Sequence, residues 1–342
     1  MQNYNSKLKV GVVGLGHQAL EDHIPAIKVS PDVELVGVVE INKEKLKTFL
    51  NENKNVKGYE NFDELIKNHR LDFVIIAVPH YLHYEFTKKA ILKGIHVLKE
   101  KPMAVSLIQA KELNELAKEN NVQIMVTLQR RFNPIYSTFF QLIDKIGRPF
   151  YIEAKYTFYI ENPHEGWRGK KELAGGGCLI DMGYHMVDLL MWYFGLPDKV
   201  LAETSCAAKE GIDYNAEDTA HVIFKYKTKN IWGTLTVSRS IPPKQEYLNV
   251  YGTRGIIHLE RGKIERYSPN GELIESLKRE FAWPSAAQDQ LGYFIKVIKG
   301  EKENISNPEF HFNHLAFIEA AYKSKELGQF VNPKEILKNY GI

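Results

Sequence analysis

Cysteine is scarce: Cys178 and Cys206 are the only two in 342 residues. That is too few for a disulfide framework or a thiolate zinc site, and their separation offers no CxxC redox motif. Both read as ordinary reduced thiols. No apolar run approaches the roughly 18 residues a membrane helix needs. The opening Met1-Gln2-Asn3-Tyr4-Asn5-Ser6-Lys7 lacks the apolar core of a secretory signal, so a cytoplasmic location is expected. Charge of one sign is missing too. Lys plus Arg number 45 against 42 Asp plus Glu, a formal +3, without the basic footprint that nucleic acid or an anionic membrane requires. There is no internal repeat, low-complexity tract or Pro/Ser-rich linker. What is present is an ordinary globular composition, 44% hydrophobic and 25% charged, long enough for two domains at about 100–200 residues each.

From Leu8 to about Leu128, short apolar runs alternate with longer segments of helical period, the pattern of parallel strands joined by crossover helices. Expected strands are Leu8–Val13, Glu34–Val39, Asp72–Val78, Ile95–Leu98 and Val122–Thr127, almost continuously apolar as two-sided burial requires. Expected helices are His17–Val29, Lys43–Glu52, Leu82–Lys93 and Ser106–Glu119. Residues 1–128 therefore read as a doubly wound, Rossmann-type parallel sheet. After Arg131 the texture changes. Asn133-Pro134 opens a helix, and residues 129–342 then show alternating strands (Tyr151–Ile160, Asp218–Tyr226, Ile231–Ser238, Leu248–Tyr251, Gly255–Glu260, Lys263–Tyr267) separated by turn residues. An α+β domain with a large, mostly antiparallel open sheet is expected. Tyr156, Phe158, Tyr159 and Trp232 on that sheet suggest a covered face, hence a homodimer or homotetramer. Two late segments, Gln288–Lys299 and Phe310–Leu327, have amphipathic helical spacing and read as core helices.

One turn carries chemistry. Gly11-Val12-Val13-Gly14-Leu15-Gly16-His17-Gln18-Ala19 follows a strand and opens a helix, the context that gives a GxGxx[GA] match meaning. Gly14 permits the tight turn, Gly16 lets the backbone approach a pyrophosphate, and Ala19 keeps the helix near the sheet. The free N–H groups at the helix start, with His17 and Gln18 beside them, would hold the phosphates. Glu40, at the end of the next strand, can accept hydrogen bonds from ribose hydroxyls and would repel a 2′-phosphate. Ile41 stands where Ser, Thr or Arg would welcome that phosphate, so NAD is favoured over NADP; Lys43 and Lys45 leave NADP open.

After the fourth strand comes Lys99-Glu100-Lys101-Pro102-Met103-Ala104. Further on come Trp167-Arg168, Glu172-Leu173-Ala174-Gly175-Gly176-Gly177 and Asp181-Met182-Gly183-Tyr184-His185-Met186-Val187-Asp188. In this order and spacing, from Val10 to about Gly328, the sequence resembles the Gfo/Idh/MocA family of NAD(P)-dependent oxidoreductases, of the glucose–fructose oxidoreductase and inositol dehydrogenase type. The resemblance implies a Rossmann domain, a C-terminal α/β domain holding the substrate, and a catalytic trio of Lys101, Asp181 and His185.

The same residues make chemical sense by themselves. Oxidising a secondary alcohol needs a base near neutrality, which histidine supplies. Asp181 and His185, four apart on an expected helix, would share a face and let a carboxylate orient the imidazole or bind a neighbouring substrate hydroxyl. Lys101, at the carboxyl end of a parallel strand, could stabilise a developing alkoxide. His185 is favoured for the proton and Lys101 as its electrostatic partner, though sequence does not decide between them. Each residue alone also reads as a solvated charge or a surface ion pair. A metal at Asp181, His185 and Asp188 is not expected, since no HxxxH or HxxH pair or Cys cluster accompanies them.

Other positions are less sharp. Ala77-Val78-Pro79-His80-Tyr81-Leu82-His83 departs from the family's T-P-N-x-x-H at Val78 and His80. Pro79, His80, His83, Glu100 and Lys101 are nonetheless expected as cofactor neighbours, with a plain helix-start role as the alternative for His83. Arg131 could reach substrate or make an interdomain ion pair. Tyr159 and Trp167 offer flat faces for a sugar ring, with Arg168 beside them, or simply pack. The expectation is a dehydrogenase or reductase acting on a secondary alcohol or ketone of a sugar, polyol or sugar derivative. The rivals are an NAD-dependent glycosidase of the same family and a non-catalytic nucleotide-binding regulator.

Overall fold

The computed structural model describes residues 7–279 and 285–342. By contact the chain forms two units. Among the described residues the first comprises 7–104, 108–132 and 285–311; the second comprises 105–107, 133–279 and 312–342.

The first unit is a six-stranded parallel sheet: β1 (Leu8–Val13), β2 (Val33–Val39), β3 (Lys57–Tyr59), β4 (Phe73–Ile76), β5 (His96–Lys99) and β6 (Ile124–Val126), in the order β3-β2-β1-β4-β5-β6. The central strands are apolar on both faces because helices cover both; Val10, Val12, Phe73, Val74, Ile75 and Ile76 are fully buried. This is the Rossmann-type sheet expected from the sequence. The sequence reading missed β3 and the helix Phe62–Asn68. β3 is three residues, Lys57-Gly58-Tyr59, on the sheet edge, too short and too polar to register as a run.

The linear reading also did not show that the chain returns to this sheet. The helix Ser285–Ile298, which falls within the 129–342 segment, packs Leu291, Phe294 and Ile295 into the core with Val10, Val12, Phe73 and Ile75. The Phe294 ring meets Phe73 edge-on at 5.6 Å. Apolar spacing identified that helix and its buried face; nothing in its residues says which sheet it covers.

The second unit holds eight strands: β7 (Pro149–Tyr159), β8 (Lys199–Ser205), β9 (Thr219–Tyr226), β10 (Ile231–Ser238), β11 (Ser240–Gly252), β12 (Gly255–Glu260), β13 (Lys263–Tyr267) and β14 (Leu273–Lys278). Their order is β14-β13-β12-β11-β7-β10-β9-β8. All pairs are antiparallel except β7 with β10. Alternation is clean. Ile152, Ala154, Val222, Phe224, Leu235, Val237, Leu248 and Val250 are buried on one face, against the helices Tyr184–Phe194 and Phe312–Leu327. Tyr151, Trp232 and Tyr251 lie on the other. β11 runs longer than expected because it continues through Pro242-Pro243, where the ladder to β7 skips from Ser240 to Gln245; prolines have no N–H to donate. β14, exposed along nearly its whole length, gives no alternating signal. Among the described residues no helix is long and apolar enough to cross a membrane.

Candidate functional site

Because β1, β2, β4 and β5 are parallel neighbours, the turns that follow them leave the sheet at the same edge, where open α/β sheets bind ligands. Those turns carry Gly14 and Gly16, Glu40, Pro79 and His80, and Glu100 and Lys101. Gly14 has φ +89°, and a Cβ there would lie 2.6 Å from the Ala77 carbonyl oxygen, so the turn itself demands glycine. Gly16 is different. Its φ is unremarkable, and a Cβ would meet nothing closer than the Ala77 oxygen at 3.6 Å. The protein's own packing does not require a glycine at 16, whereas a phosphate approaching the helix start does. Ala19 is fully buried against the sheet, and His17 and Gln18 stay exposed at the helix start. The residues present therefore fit a dinucleotide.

Glu40 is fixed at both oxygens, accepting from Leu15 N at 3.0 Å and from Asn42 N at 3.0 Å. Its carboxylate is thus anchored to the phosphate turn itself. Beneath that turn lies a network the sequence reading did not anticipate. Glu100 is buried and its Oε1 meets His23 Nε2 at 2.8 Å. Burial opposes ionisation of Glu100, but the hydrogen bond from His23 and the charges of His23 and Lys101 outweigh it and hold its pKa below the usual value. Asp22, fully buried, accepts from Gln18 Nε2 at 3.0 Å and Gln129 Nε2 at 2.7 Å, while its Oδ1 is unpartnered. Burial raises its pKa, as expected for a carboxyl next to Glu100. An Asp-His pair in a helix gives no sequence signal beyond polarity at interior positions.

His83 takes a scaffold position. It is fully buried, with Nδ1 3.0 Å from the Pro102 carbonyl oxygen and Nε2 2.9 Å from that of Val78, so it sits between the turn after β4 and the turn after β5 and, as a neutral ring, donates to one of the two carbonyls. Burial, and then the charge of Lys99, drives its pKa well down. Lys99 is fully buried as well; its Nζ donates to the Met103 carbonyl at 2.6 Å, and burial lowers its pKa to about 7. His80 is buried, with its ring 5.6 Å from that of His83. Arg131 belongs to the first unit, where Nη1 donates to the Ile305 carbonyl at 2.9 Å and the guanidinium lies 4.0 Å from the Phe310 ring centre.

In the second unit, Asp181 and His185 do not share one continuous helix as expected. A short helix, Cys178–Asp181, ends at Asp181, and a second begins at Tyr184. The break is at Met182-Gly183, where a Cβ on Gly183 would lie 2.4 Å from the Leu179 carbonyl oxygen. Both break residues keep right-handed helical dihedrals, so the path stays close to helical. Asp181 Oδ2 receives Arg168 Nε at 3.3 Å, and the Arg168 guanidinium covers the Trp167 ring at 4.4 Å. The His185 ring lies 6.4 Å from that of Tyr156. Tyr159 is exposed, with Lys209 Nζ donating to its hydroxyl at 2.9 Å.

Residues 8–128 match the oxidoreductase family with an NAD-binding Rossmann fold, Gfo/Idh/MocA, and residues 138–258 match the C-terminal domain of the same family. An oxidoreductase of Formosa agariphila is 30% identical over 227 residues, 64% of this chain and 70% of that one. The D-glucoside 3-dehydrogenase of Escherichia coli is 25% identical over 342 residues, 95% of this chain and 97% of that one. The solved structure of the WlbA dehydrogenase of Bordetella pertussis, in complex with NADH and UDP-GlcNAcA, superposes with a TM-score of 0.81 at 23% identity, covering 96% of this chain and 99% of that one. With the glycine turn, the parallel sheet and both family domains in place, the chain belongs to the Gfo/Idh/MocA family of NAD-dependent oxidoreductases.

Proposed function

We propose that the protein is a cytoplasmic dehydrogenase or reductase acting on a secondary alcohol or ketone of a sugar, polyol or sugar derivative. The observation that carries this reading is that Lys101 leaves the same edge of the parallel sheet as the glycine turn and Glu40. A strand-end ammonium at a dinucleotide-binding edge is suited to charge that develops on a substrate oxygen. The names borne by relatives, a D-glucoside dehydrogenase and a dehydrogenase crystallised with a nucleotide sugar acid, support carbohydrate as the substrate class.

The backbone N–H groups after Gly16, with His17 and Gln18, would hold the pyrophosphate, and Glu40 the adenosine ribose. Bound there, the nicotinamide supplies a carbon that accepts or gives a hydride. In the oxidising direction His185 takes the hydroxyl proton as general base. Lys101 stabilises the oxygen as negative charge gathers on it. Asp181 orients the imidazole or binds a neighbouring hydroxyl. The Trp167 ring and Arg168 form a surface suited to a sugar ring. The open face of the eight-stranded sheet, with Trp232 at 44% exposure, is the surface we assign to self-association in a dimer or tetramer.

The test is a substrate screen of inositols, free sugars, sugar phosphates and nucleotide sugars with NAD and NADP, following reduced-cofactor absorbance. Turnover of at least one, abolished by Lys101→Ala, is expected. Turnover that Lys101→Ala and His185→Ala both leave intact overturns the assignment.

A further inference from the structure

We propose that Arg239 is a positioning residue that sets the Trp167-Arg168 loop against Asp181 from inside the second unit. The inference rests on the reading of Arg168 and Asp181 as substrate-facing groups. Arg239 lies between β10 and β11 and is only 2% exposed, the largest of the fully buried side chains among the described residues. Its Nη1 donates to the Pro163 carbonyl at 3.1 Å and the Arg168 carbonyl at 3.4 Å, and its Nη2 to the Glu217 carbonyl at 3.2 Å. Each of its side-chain hydrogen bonds thus ends on a backbone oxygen, at the start of the loop, at its end, and in the segment before β9.

Glu217 completes the link. Its carbonyl also accepts from Cys178 N at 2.7 Å, and its carboxylate accepts from Leu179 N at 3.0 Å and from the Tyr322 hydroxyl at 2.8 Å. Glu217 therefore anchors the first turn of the short helix that ends at Asp181. Through one planar fork, the backbone of Arg168 and the helix of Asp181 are referred to the same point. The loop is closed tightly as well. A Cβ on Gly169 would lie 2.1 Å from the His164 carbonyl oxygen, and the Gly169 carbonyl accepts from Asn215 N at 3.2 Å and Ala216 N at 3.3 Å.

Space-filling does not explain this choice of side chain. A buried guanidinium is costly to desolvate, and an apolar residue of similar volume fills such a position without that cost. Here the cost is aggravated by Nε, which is buried without a partner. What an apolar side chain cannot do is hold carbonyls of separate segments in one plane. Arg168 and Asp181 themselves reach the surface, with side chains 52% and 18% exposed. A substrate meets the ion pair; Arg239 fixes the backbone beneath it.

The experiment compares wild type, Arg239→Lys and Arg239→Met by phenylglyoxal labelling, read by peptide mass spectrometry. The rate at Arg168 is taken relative to that at Arg148, an exposed arginine of the same unit. Arg239→Met is expected to raise the relative rate at Arg168 several-fold, with Arg239→Lys in between because an ammonium retains part of the fork's hydrogen bonding, while NADH affinity by fluorescence titration stays unchanged. Arg239→Gln replaces the methionine variant should that one not fold. An unchanged relative rate in every folded variant overturns the proposal. On a confirmed substrate, Arg239→Met raises KM about tenfold or more with a smaller fall in kcat. If Arg168 loosens and KM does not move, Arg239 still positions the loop, and it is the reading of Arg168 and Asp181 as substrate groups that fails.

Discussion

His23 Nε2 lies 2.8 Å from Glu100 Oε1, and both side chains are buried under the glycine turn we propose for the dinucleotide phosphates. Removing the imidazole leaves a buried carboxylate without its main partner, which costs roughly 3–5 kcal/mol in comparable cases. His23→Ala is therefore expected to lower the urea midpoint strongly at neutral pH. Glu100 also fixes the sign of an acid effect. Its folded pKa is depressed, so its contribution is present above the unfolded carboxyl value, about 4.3, and is lost as pH falls through the lower folded value. Glu100→Gln should flatten that acid arm relative to wild type. An unchanged slope would show that Glu100 is not held ionised as described.

Lys99 gives a slope of the same sign in a higher pH window, from a cost that is relieved rather than a gain that is lost. Its folded pKa is about 7 because of burial, against about 10.4 in an unfolded chain. Between those values the unfolded state binds more protons, so stability rises with pH; below the folded value the full cost of burying the ammonium is present. Lys99→Met should thus be more stable than wild type near pH 6, with the advantage shrinking toward pH 9 by up to about 1.4 kcal/mol per unit. The lost hydrogen bond to the Met103 carbonyl works against the gain at every pH. Paired urea titrations at several pH values check this, and a difference that does not change with pH refutes it.

The fold was largely legible because its signals are periodic. Continuous apolar runs gave β1, β2, β4, β5 and β6, and alternation gave most of the second sheet. What escaped is short, solvent-exposed or non-local. β3, β8 and β14 bury too little to be patterned, β8 only at Val200 and Ala202. The return of Ser285–Ile298 to the first sheet is a tertiary fact that no local window contains. At the candidate site, the glycine turn, Glu40, Lys101, Asp181 and His185 could be put forward because few residue types suit the tasks proposed for them. His83 could not be separated from a cofactor contact, because a buried histidine on two backbone carbonyls and one facing a ligand look the same in sequence. Arg239 was missed for the complementary reason: a lone arginine after a strand reads as a surface charge.

Glu40 offers a test of cofactor choice. Its carboxylate is anchored on Leu15 N and Asn42 N, which, on the proposed reading, keeps its negative charge where a 2′-phosphate would sit. Glu40→Ser removes that charge and leaves a small hydroxyl. NADH affinity should fall while NADPH affinity rises, shifting their ratio by about tenfold or more, since one close repulsive charge is worth on the order of 1–3 kcal/mol. Fluorescence titration of both reduced cofactors reads the ratio directly. A ratio that stays constant removes Glu40 from the discrimination.

For the chemistry, Lys101→Met and His185→Asn are the informative pair. If Lys101 stabilises oxygen charge, its loss should cost about 10²–10³ in kcat with NADH affinity nearly unchanged. If His185 is the base, its loss should cost about 10²–10⁴ and also remove the limb of the kcat/KM profile that reports its ionisation. A surviving limb in His185→Asn would transfer the proton to Lys101.

The two glycines of the phosphate turn should behave oppositely when given a methyl group. At Gly14 the backbone is left-handed, φ +89°, and a Cβ would sit 2.6 Å from the Ala77 carbonyl oxygen, so Gly14→Ala carries both backbone strain and a clash with main chain. A loss of about 2 kcal/mol or more in folding stability is expected. At Gly16 neither penalty exists, the nearest atom to a Cβ being 3.6 Å away, and stability should change by less than about 0.5 kcal/mol. The methyl of Gly16→Ala would instead stand where the pyrophosphate must approach the helix start, so NADH affinity should drop about tenfold or more. Thermal or urea unfolding without cofactor, set beside NADH titration of the same variant, separates the two effects. A Gly16→Ala protein that binds NADH as wild type does would mean that the dinucleotide is held elsewhere.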